Sequence, residues 1–478
     1  MSNFRIGASN QRGVLPSNGL PSYTSASMPD PETIEVGEAL VMSGALVSKT
    51  ISTGVFQNPD NMKIPSSGTV VLIGCSVTQM NQIGAGIYGN SRQCDYGWAN
   101  WVAHYLGGFD IISNRAVGGA TTGSMGAFPT NNVIAQIPLA LADNTDWIWM
   151  DFGILNDIQQ GSTVSKSLDY IDAILNMLCG KNVLAINSTP LGIGQAFANA
   201  ERMAFMSQVN AGLVERCKKY KNVILVDAHA PVVDPVTGYA KTGFLQADDN
   251  IHYVQKTCRA IAAASKAAVT NKVIIADSKS PLSQLDAYNA TSNPKRAQTN
   301  PKLVGSGGTA LAGITGTVPT GCALSKAGTS FTGTSAVDAA NGGWTVTITA
   351  AGAATDQLFV TLVPAADGWA SAGDVLTGGF KLALSGASNL LVTKAQISAT
   401  VDGVSKVITT CLEPDNTDGS HTQATIDLSD MFITVRLPGG VIPAGAVVTG
   451  VKMIFIAQFS STSAAASMKF TDAWLAKA

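Results

Sequence analysis

Between residues 68 and 269, apolar residues recur with two alternating periods. The run Thr69-Val70-Val71-Leu72-Ile73 is continuous and largely β-branched, as a strand buried on both faces requires. Similar runs occupy 109–113, 147–152, 183–187 and 223–226. Between them, Trp98, Trp101, Val102, Tyr105 and Leu106 fall at i, i+3, i+4, i+7 and i+8. That spacing predicts a helix over 97–106, with Asp95 as its cap. Helical periods also mark 165–178, 196–219 and 254–269. Strand alternating with helix predicts a parallel sheet with helices on both faces. Such sheets place ligand sites at the carboxyl ends of their strands.

Beyond residue 301 the helical period is lost. Short runs at 344–349, 357–362, 380–384, 395–401, 426–435, 451–459 and 466–475 read as strands, punctuated by Gly, Asp and Asn. They predict an antiparallel sandwich or jelly roll. The chain thus divides into an N-terminal arm (1–62), an α/β domain (63–275), a linker (276–302) and an all-β domain (303–478). The arm is rich in Ser, Gly, Pro and Asn, with a short strand or two expected near 39–53. The linker carries Pro281, Pro294 and Pro301, and few core contacts are expected to cross it. A chain ending near residue 275 is therefore expected to keep its site. Trp344 and Trp369 are candidate sugar platforms in the β domain, although a buried core position is the commoner fate of Trp in a sandwich.

Composition narrows the function. Of 478 residues, 46% are hydrophobic and 13% charged, which excludes bulk disorder. Lys plus Arg is 30 and Asp plus Glu is 32, a net charge of -2, so no nucleic-acid partner is expected. No apolar stretch reaches the length of a membrane span. The opening MSNFRIGASNQRG lacks a basic segment followed by an apolar one, so no secretory signal is expected. The seven cysteines form no C-x-x-C pair, which argues against a disulfide framework and a structural zinc site. The low charge and abundant Gly, Ala, Ser and Thr suit packing and persistence.

Four histidines are candidates for a general base. His104 lies off the apolar stripe of its helix and reads as a surface residue. His229 follows a strand and reads as satisfying local backbone groups, and His421 sits in a polar turn. His252 differs, because Asp249 stands three residues before it, close enough to orient one ring nitrogen and leave the other free for a proton. Ser76 directly follows the first strand, where a nucleophile is exposed; a helix-capping Ser is the alternative. Neighbouring Cys75 reads as packed. At the ends of the next two strands stand Asn114 to Thr122, with Gly118 and Gly119, and Gly153 to Asp157, with Asn156. A glycine N–H and an Asn amide there, with the Ser76 N–H, make a three-donor oxyanion hole. Gly84 to Gly89 fits G-x-G-x-x-G, but it follows no strand directly and opens no helix, so no dinucleotide cofactor is expected. The Asp and His positions suggest no metal set.

Together these segments resemble the SGNH (GDSL-like) hydrolases over about residues 69–269. Gly74-Cys75-Ser76 with Thr78 resembles the first block, with Cys75 where the family has Asp. Gly119, five residues after Asn114, resembles the second. Asn156-Asp157 resembles the third, with two residues rather than one after Gly153. Asp249 and His252 resemble the fourth. The resemblance implies a flavodoxin-like three-layer α/β/α domain and an esterase without metal or cofactor. In it Ser76 is the nucleophile, His252 the base and Asp249 its partner, with Ser76, Gly119 and Asn156 holding the oxyanion.

The arm, hydrolase and jelly-roll order resembles phage or prophage tail spikes. That implies removal of O-acetyl groups from bacterial surface polysaccharide, a homotrimer, attachment to tail or baseplate proteins through the arm, and a virion location after synthesis in the host cytoplasm. The closing strand at 470–475 adds to a likeness with carbohydrate-binding jelly rolls. A lipase or lysophospholipase, and a non-catalytic sugar-binding tail protein, are the alternatives. Polar, Gly/Asn-rich loops at 79–93 and 121–132 favour sugar over lipid.

Overall fold

The computed structural model describes residues 64–66, 68–85, 91–126, 130–194, 198–270, 272–275, 279–413 and 431–477. The expected arm, His421 and most of the glycine-rich loop 84–89 lie outside them. Strands β1 (Ile64–Ser66) and β9 (Val273–Ile275) pair in parallel within a small unit of their own.

In the main unit, β2 (Gly68–Ile73), β5 (Phe109–Asn114), β6 (Trp147–Asp151), β7 (Asn182–Ile186) and β8 (Val223–Val226) form a parallel sheet in the order β5-β2-β6-β7-β8. Counted within this sheet the order is 2-1-3-4-5, the flavodoxin-like winding expected from the sequence. The order reverses at β2, so a crevice opens at its carboxyl end. There the chain enters helix α1 (Ser76–Gln79). Next come α2 (Trp98–Leu106), α3 (Val133–Ala142), α4 (Ile154–Gln159), α5 (Val164–Met177), α6 (Ala200–Cys217) and α7 (Gln255–Thr270). Helices α3 to α6 bury Ile137, Ile154, Ile171 and Leu213 against Val71, Ile148, Met150 and Val183. The alternate residues Val70, Leu72, Trp149 and Leu184 are buried on the opposite face, the side of α2 and α7. Burial on both faces is why these strands read as continuous apolar runs.

The C-terminal part is a sandwich. One sheet runs β10 (Ile314–Gly316), β12 (Phe331–Val337), β13 (Trp344–Ala351), β20 (Ala465–Lys477), β15 (Val375–Ser388), β18 (Met431–Val441). The other runs β11 (Ala323–Ala327), β14 (Gln357–Pro364), β19 (Val448–Phe459), β16 (Leu390–Val401), β17 (Val404–Glu413), then β4 (Ser91–Cys94) and β3 (Gln82–Ala85). Phe380, Phe455 and Phe470 meet between the sheets with ring centroids 5.3–6.0 Å apart. Trp344 and Trp369, candidate sugar platforms in the sequence, are core residues at 0% and 7% exposure. Their indole N–H groups donate to Ser335 Oγ and the Pro294 carbonyl.

The α/β part and the sandwich are not separated as the polar linker suggested. Strand β4 precedes α2 in the chain yet pairs in parallel with β17. Beside that pairing, buried Glu413 takes Arg92 in a two-pronged ion pair (Nη2 at 2.5 Å, Nε at 2.9 Å) and Lys394 at 2.7 Å. Strand β18 packs over α2. This corrects the reading of His104 as a surface residue. It is 1% exposed, because the side of α2 away from its own sheet is roofed by β18, whose Arg436 N–H donates to His104 Nδ1. Burial first, with the nearby Arg436 charge, pushes the imidazole down to about 4, so it is neutral at neutral pH. Arg436 in turn pairs with Asp110 of β5 at 3.1 Å. The linker itself is strapped onto β20. Strand β13 pairs with β20 as far as Phe470. Beyond it Pro301 O accepts from Ala473 N–H, Ala297 N–H donates to Leu475 O, and Lys295 O accepts from Lys477 N–H. An open sheet edge is thereby covered.

Two outcomes follow from the shared interface. Burial pushes the Glu413 carboxyl up, but Arg92, Lys394 and Thr410 outweigh it and hold it at about 2. An unfolded Glu titrates at about 4.3. Its stabilisation is complete above that value and is lost as pH falls towards about 2. Glu413→Gln should cost about 2 kcal/mol at pH 7, and the wild-type-minus-variant difference in urea unfolding should shrink between about pH 4 and pH 2. A pH-independent difference would contradict the assignment. Second, a chain ending at residue 275 strips β4 and α2 of their partners, so size-exclusion chromatography should show aggregate rather than a folded α/β domain.

Candidate active site

Ser76 is the first residue of α1, just past the carboxyl end of β2. Gly74 makes that turn feasible. Its φ is +147°, and a Cβ there would lie 2.0 Å from Asp151 Oδ2. Asn114 Nδ2 holds the far end of α1 through the Thr78 and Gln79 carbonyls at 3.3 and 3.1 Å. Cys75 is 1% exposed, and burial pushes its thiol well above the usual range. The second nucleophile candidate in this segment is therefore an inert core group.

The structure brings Ser76, His252 and Asp249 into one hydrogen-bonded line. His252 Nε2 lies 2.8 Å from Ser76 Oγ, and His252 Nδ1 bonds Asp249 Oδ2. Asp249 Oδ1 accepts the Ile251 and His252 amides at 2.8 and 3.0 Å. Burial pushes the Asp249 carboxyl up, but the His252 ring N–H and these two amides outweigh it and hold it at about 2. An ionised carboxylate only accepts hydrogen bonds, so Nδ1 carries the ring proton and Nε2 faces the Ser76 hydroxyl as acceptor. Gly192 N–H anchors this loop on the Asn250 carbonyl at 2.9 Å.

One candidate oxyanion turn packs against the serine, since a Cβ on Gly118 would lie 3.9 Å from Ser76 Cβ. The turn Val117–Ala120 closes through Ala120 N–H to Val117 O at 3.1 Å, and Val117 N–H donates to Gly74 O at 3.1 Å. Gly119 is the third residue of that turn. Asn131 Nδ2 fixes it through the Gly118 carbonyl at 2.9 Å. Asn156 is buried, and its Nδ2 donates to Ala120 O at 2.8 Å, which leaves one amide hydrogen uncommitted by that bond. The extra residue after Gly153 is absorbed by helix. Gly153 is the left-handed N-cap of α4, with φ +72°, and Asn156 N–H closes the first turn on Gly153 O. Asp157 secures the turn by accepting from Thr122 N–H at 2.9 Å and Ser167 Oγ at 2.7 Å. Burial outweighs these bonds and pushes its carboxyl up to about 6.

Residues 72–253 match the model of the GDSL-like Lipase/Acylhydrolase family. No curated protein matches the chain. Among solved structures, a carbohydrate acetylesterase from Sinorhizobium meliloti is similar at 18% identity, covering 42% of this chain and 99% of that one, with a TM-score of 0.33. An acetylxylan esterase from Geobacillus stearothermophilus is similar at 16% identity, with 44% and 96% covered and a TM-score of 0.31. An aryl esterase from M. smegmatis is similar at 16% identity, with 43% and 100% covered and a TM-score of 0.34.

Of the remaining histidines, His229 is partly buried beside Asp227, and burial pulls its imidazole down. Asp95 does not cap α2. The cap residue is Gly97, and Asn81 Oδ1 accepts the Ala99 and Asn100 amides instead. Asp95 is buried, and burial pushes its carboxyl up to about 8. Among the described residues no group of three or more His, Cys, Asp or Glu is arranged for a metal ion. Sequence reasoning passed over Asp151, Gln136 and Trp98 as participants. The available signal for the first was a lone charge ending the apolar run Trp147-Ile148-Trp149-Met150-Asp151.

Asn156 has a kinetic test. Asn156→Ala should lower kcat about 100- to 1000-fold with KM little changed, since loss of one oxyanion donor costs that much. A loss below about tenfold would mean that the amide only props the Ala120 peptide.

Proposed function

We propose that this protein is a serine esterase that removes O-acetyl groups from a bacterial surface polysaccharide. The observation that carries the ester-hydrolase part is the 2.8 Å contact between His252 Nε2 and Ser76 Oγ, with Nδ1 held by Asp249. Ser76 Oγ attacks the ester carbonyl as its proton passes to Nε2. The carbonyl oxygen takes the negative charge, facing the Ser76 and Gly119 N–H groups and the Asn156 amide. The ester C–O bond then breaks, and the proton on Nε2 goes to the leaving sugar hydroxyl. Water attacks the acetyl-enzyme through the same base, releasing acetate and restoring Ser76.

Sugar rather than lipid is favoured by the polar loops at 79–93 and 121–132, since a lipase needs a broad apolar groove. The arm, hydrolase and sandwich order supports a tail-spike setting. There the arm at 1–62 joins other tail or baseplate proteins, three copies assemble, and the virion carries the enzyme. With both tryptophan candidates in the core, we assign the sandwich to support and assembly rather than to aromatic sugar stacking.

The test compares p-nitrophenyl acetate, p-nitrophenyl palmitate and a panel of purified acetylated polysaccharides, with acetate release as the readout. Acetyl ester turnover, acetate release from at least one polysaccharide and no palmitate turnover are expected. Preference for palmitate would favour a lipase, and no turnover at all a sugar-binding protein. Ser76→Ala and His252→Ala should each abolish acetyl ester turnover, since members of such a triad act as a unit. Wild-type turnover by either would overturn the site.

A further inference from the structure

We propose that Asp151 is a positioning residue that locks the nucleophile turn and the oxyanion turn to each other; this rests on the esterase reading of the Ser76 site. Asp151 ends β6 and is 7% exposed. Its Oδ2 accepts Cys75 N–H at 3.0 Å and the Thr78 hydroxyl at 2.5 Å, at the start and near the end of α1. Its Oδ1 accepts Gly153 N–H at 2.7 Å, at the turn that opens α4 and carries Asn156. A helix of four residues has no stability of its own, so its direction must be imposed from outside. Two further groups complete the clamp. Trp98 Nε1 donates to Thr78 Oγ1 at 2.9 Å, and Gln136 brackets Gly74 through its N–H and carbonyl at 2.7 and 2.9 Å.

The consequence concerns two of the three oxyanion donors. With Cys75 N–H spent on Asp151, the next amide, Ser76 N–H, is the first of α1 and has no acceptor within the helix. The same carboxylate sets the start of α4 and so the Asn156 amide. One buried side chain therefore fixes the spacing of both donors, which must converge on a single oxygen.

Two acceptor oxygens are required chemically. Each carboxylate oxygen faces a backbone N–H, and an Asn side chain has one acceptor and one donor. In either orientation its NH₂ would confront Cys75 N–H or Gly153 N–H. Gly74 is the counterpart of this arrangement, since any Cβ there would collide with Oδ2.

The experiment measures p-nitrophenyl acetate kinetics and the rate of labelling by a serine-directed fluorophosphonate, on full-length proteins shown to be folded by circular dichroism. For Asp151→Asn we expect kcat to fall about 100-fold with KM within about twofold, and labelling to slow in parallel, as misplaced reacting groups require. A merely structural carboxylate would shift the unfolding midpoint and leave kcat in place. If Asp151→Asn does not fold, Thr78→Val and Thr78→Ser decide. The first removes one donor to the carboxylate and should cost about tenfold in kcat, while the second keeps the hydroxyl and should restore it. Wild-type kcat and labelling in Asp151→Asn, or in Thr78→Val where that decides, would overturn the positioning role. A wild-type protein that neither hydrolyses the ester nor labels would instead overturn the esterase reading, and this role with it. Activity that disappears in Ser76→Ala and persists in Asp151→Asn would overturn the positioning role alone.

Discussion

A carboxylate buried as deeply as Asp151 is stable only if its charge is taken up locally, and the three donors that take it up belong to two different turns. The architecture around it follows from that requirement. The strand β6 must end beside β2 so that the carboxylate reaches Cys75 N–H, which the winding order provides. The residue before Cys75 must lack a side chain. The loop after β6 must offer an amide at once, which the left-handed Gly153 does by turning the chain into α4. The crevice at the switch point of a doubly wound sheet is usually described as an empty place for ligand. In this protein its floor is a charge with an assigned set of donors.

The second constraint is that the sandwich and the α/β part share a sheet and two ionic junctions. At one, Glu413 receives Arg92 and Lys394. At the other, Asp110 receives Arg436 at 3.1 Å and Lys279 at 2.7 Å. The buried members, Glu413 and Arg436, are tolerated because each faces an opposite charge, and removing that partner leaves the buried one stranded. His104 meets the same problem differently. Burial first, and then the Arg436 charge beside it, keep its ring neutral. The sandwich is thereby part of what holds α2 in place. Helix α2 supplies Trp98, whose indole bonds the Thr78 hydroxyl.

The central sheet was legible because its strands are buried on both faces. The run at 223–226 coincides with β8, and the other four lie within a residue of the observed ends. The 3.6-residue period likewise gave α2, α5, α6 and α7. What escaped had mixed signals. Helix α3 contains Pro138, a residue that reads as a breaker, and α4 is six residues long and opens on glycine. Strands β11 and β12 are rich in Ser, Thr, Ala and Gly, and little but their alternation marks them. The hairpin β3–β4 is polar and short, and pairs with a strand over 300 residues away, a partner no local pattern encodes. The linker reads as free because its polar side chains say nothing of its backbone, and its backbone is what binds β20.

The site residues were legible for a different reason, visible in the geometry of Asp249 and His252. A spacing of three is what a carboxylate needs to serve its own turn and the ring together. Oδ1 takes the amides of residues 251 and 252, which fixes the plane of the carboxylate, and Oδ2 is left facing Nδ1. Both the orientation of the imidazole and the low pKa of its partner thus come from a local turn, and local turns are written in short stretches of sequence. The Ser76 end of the line has no such local source. Its direction depends on β6, α2 and α4, elements assembled only by the fold, which is why Ser76 was found by its place after a strand and Asp151 was not found at all.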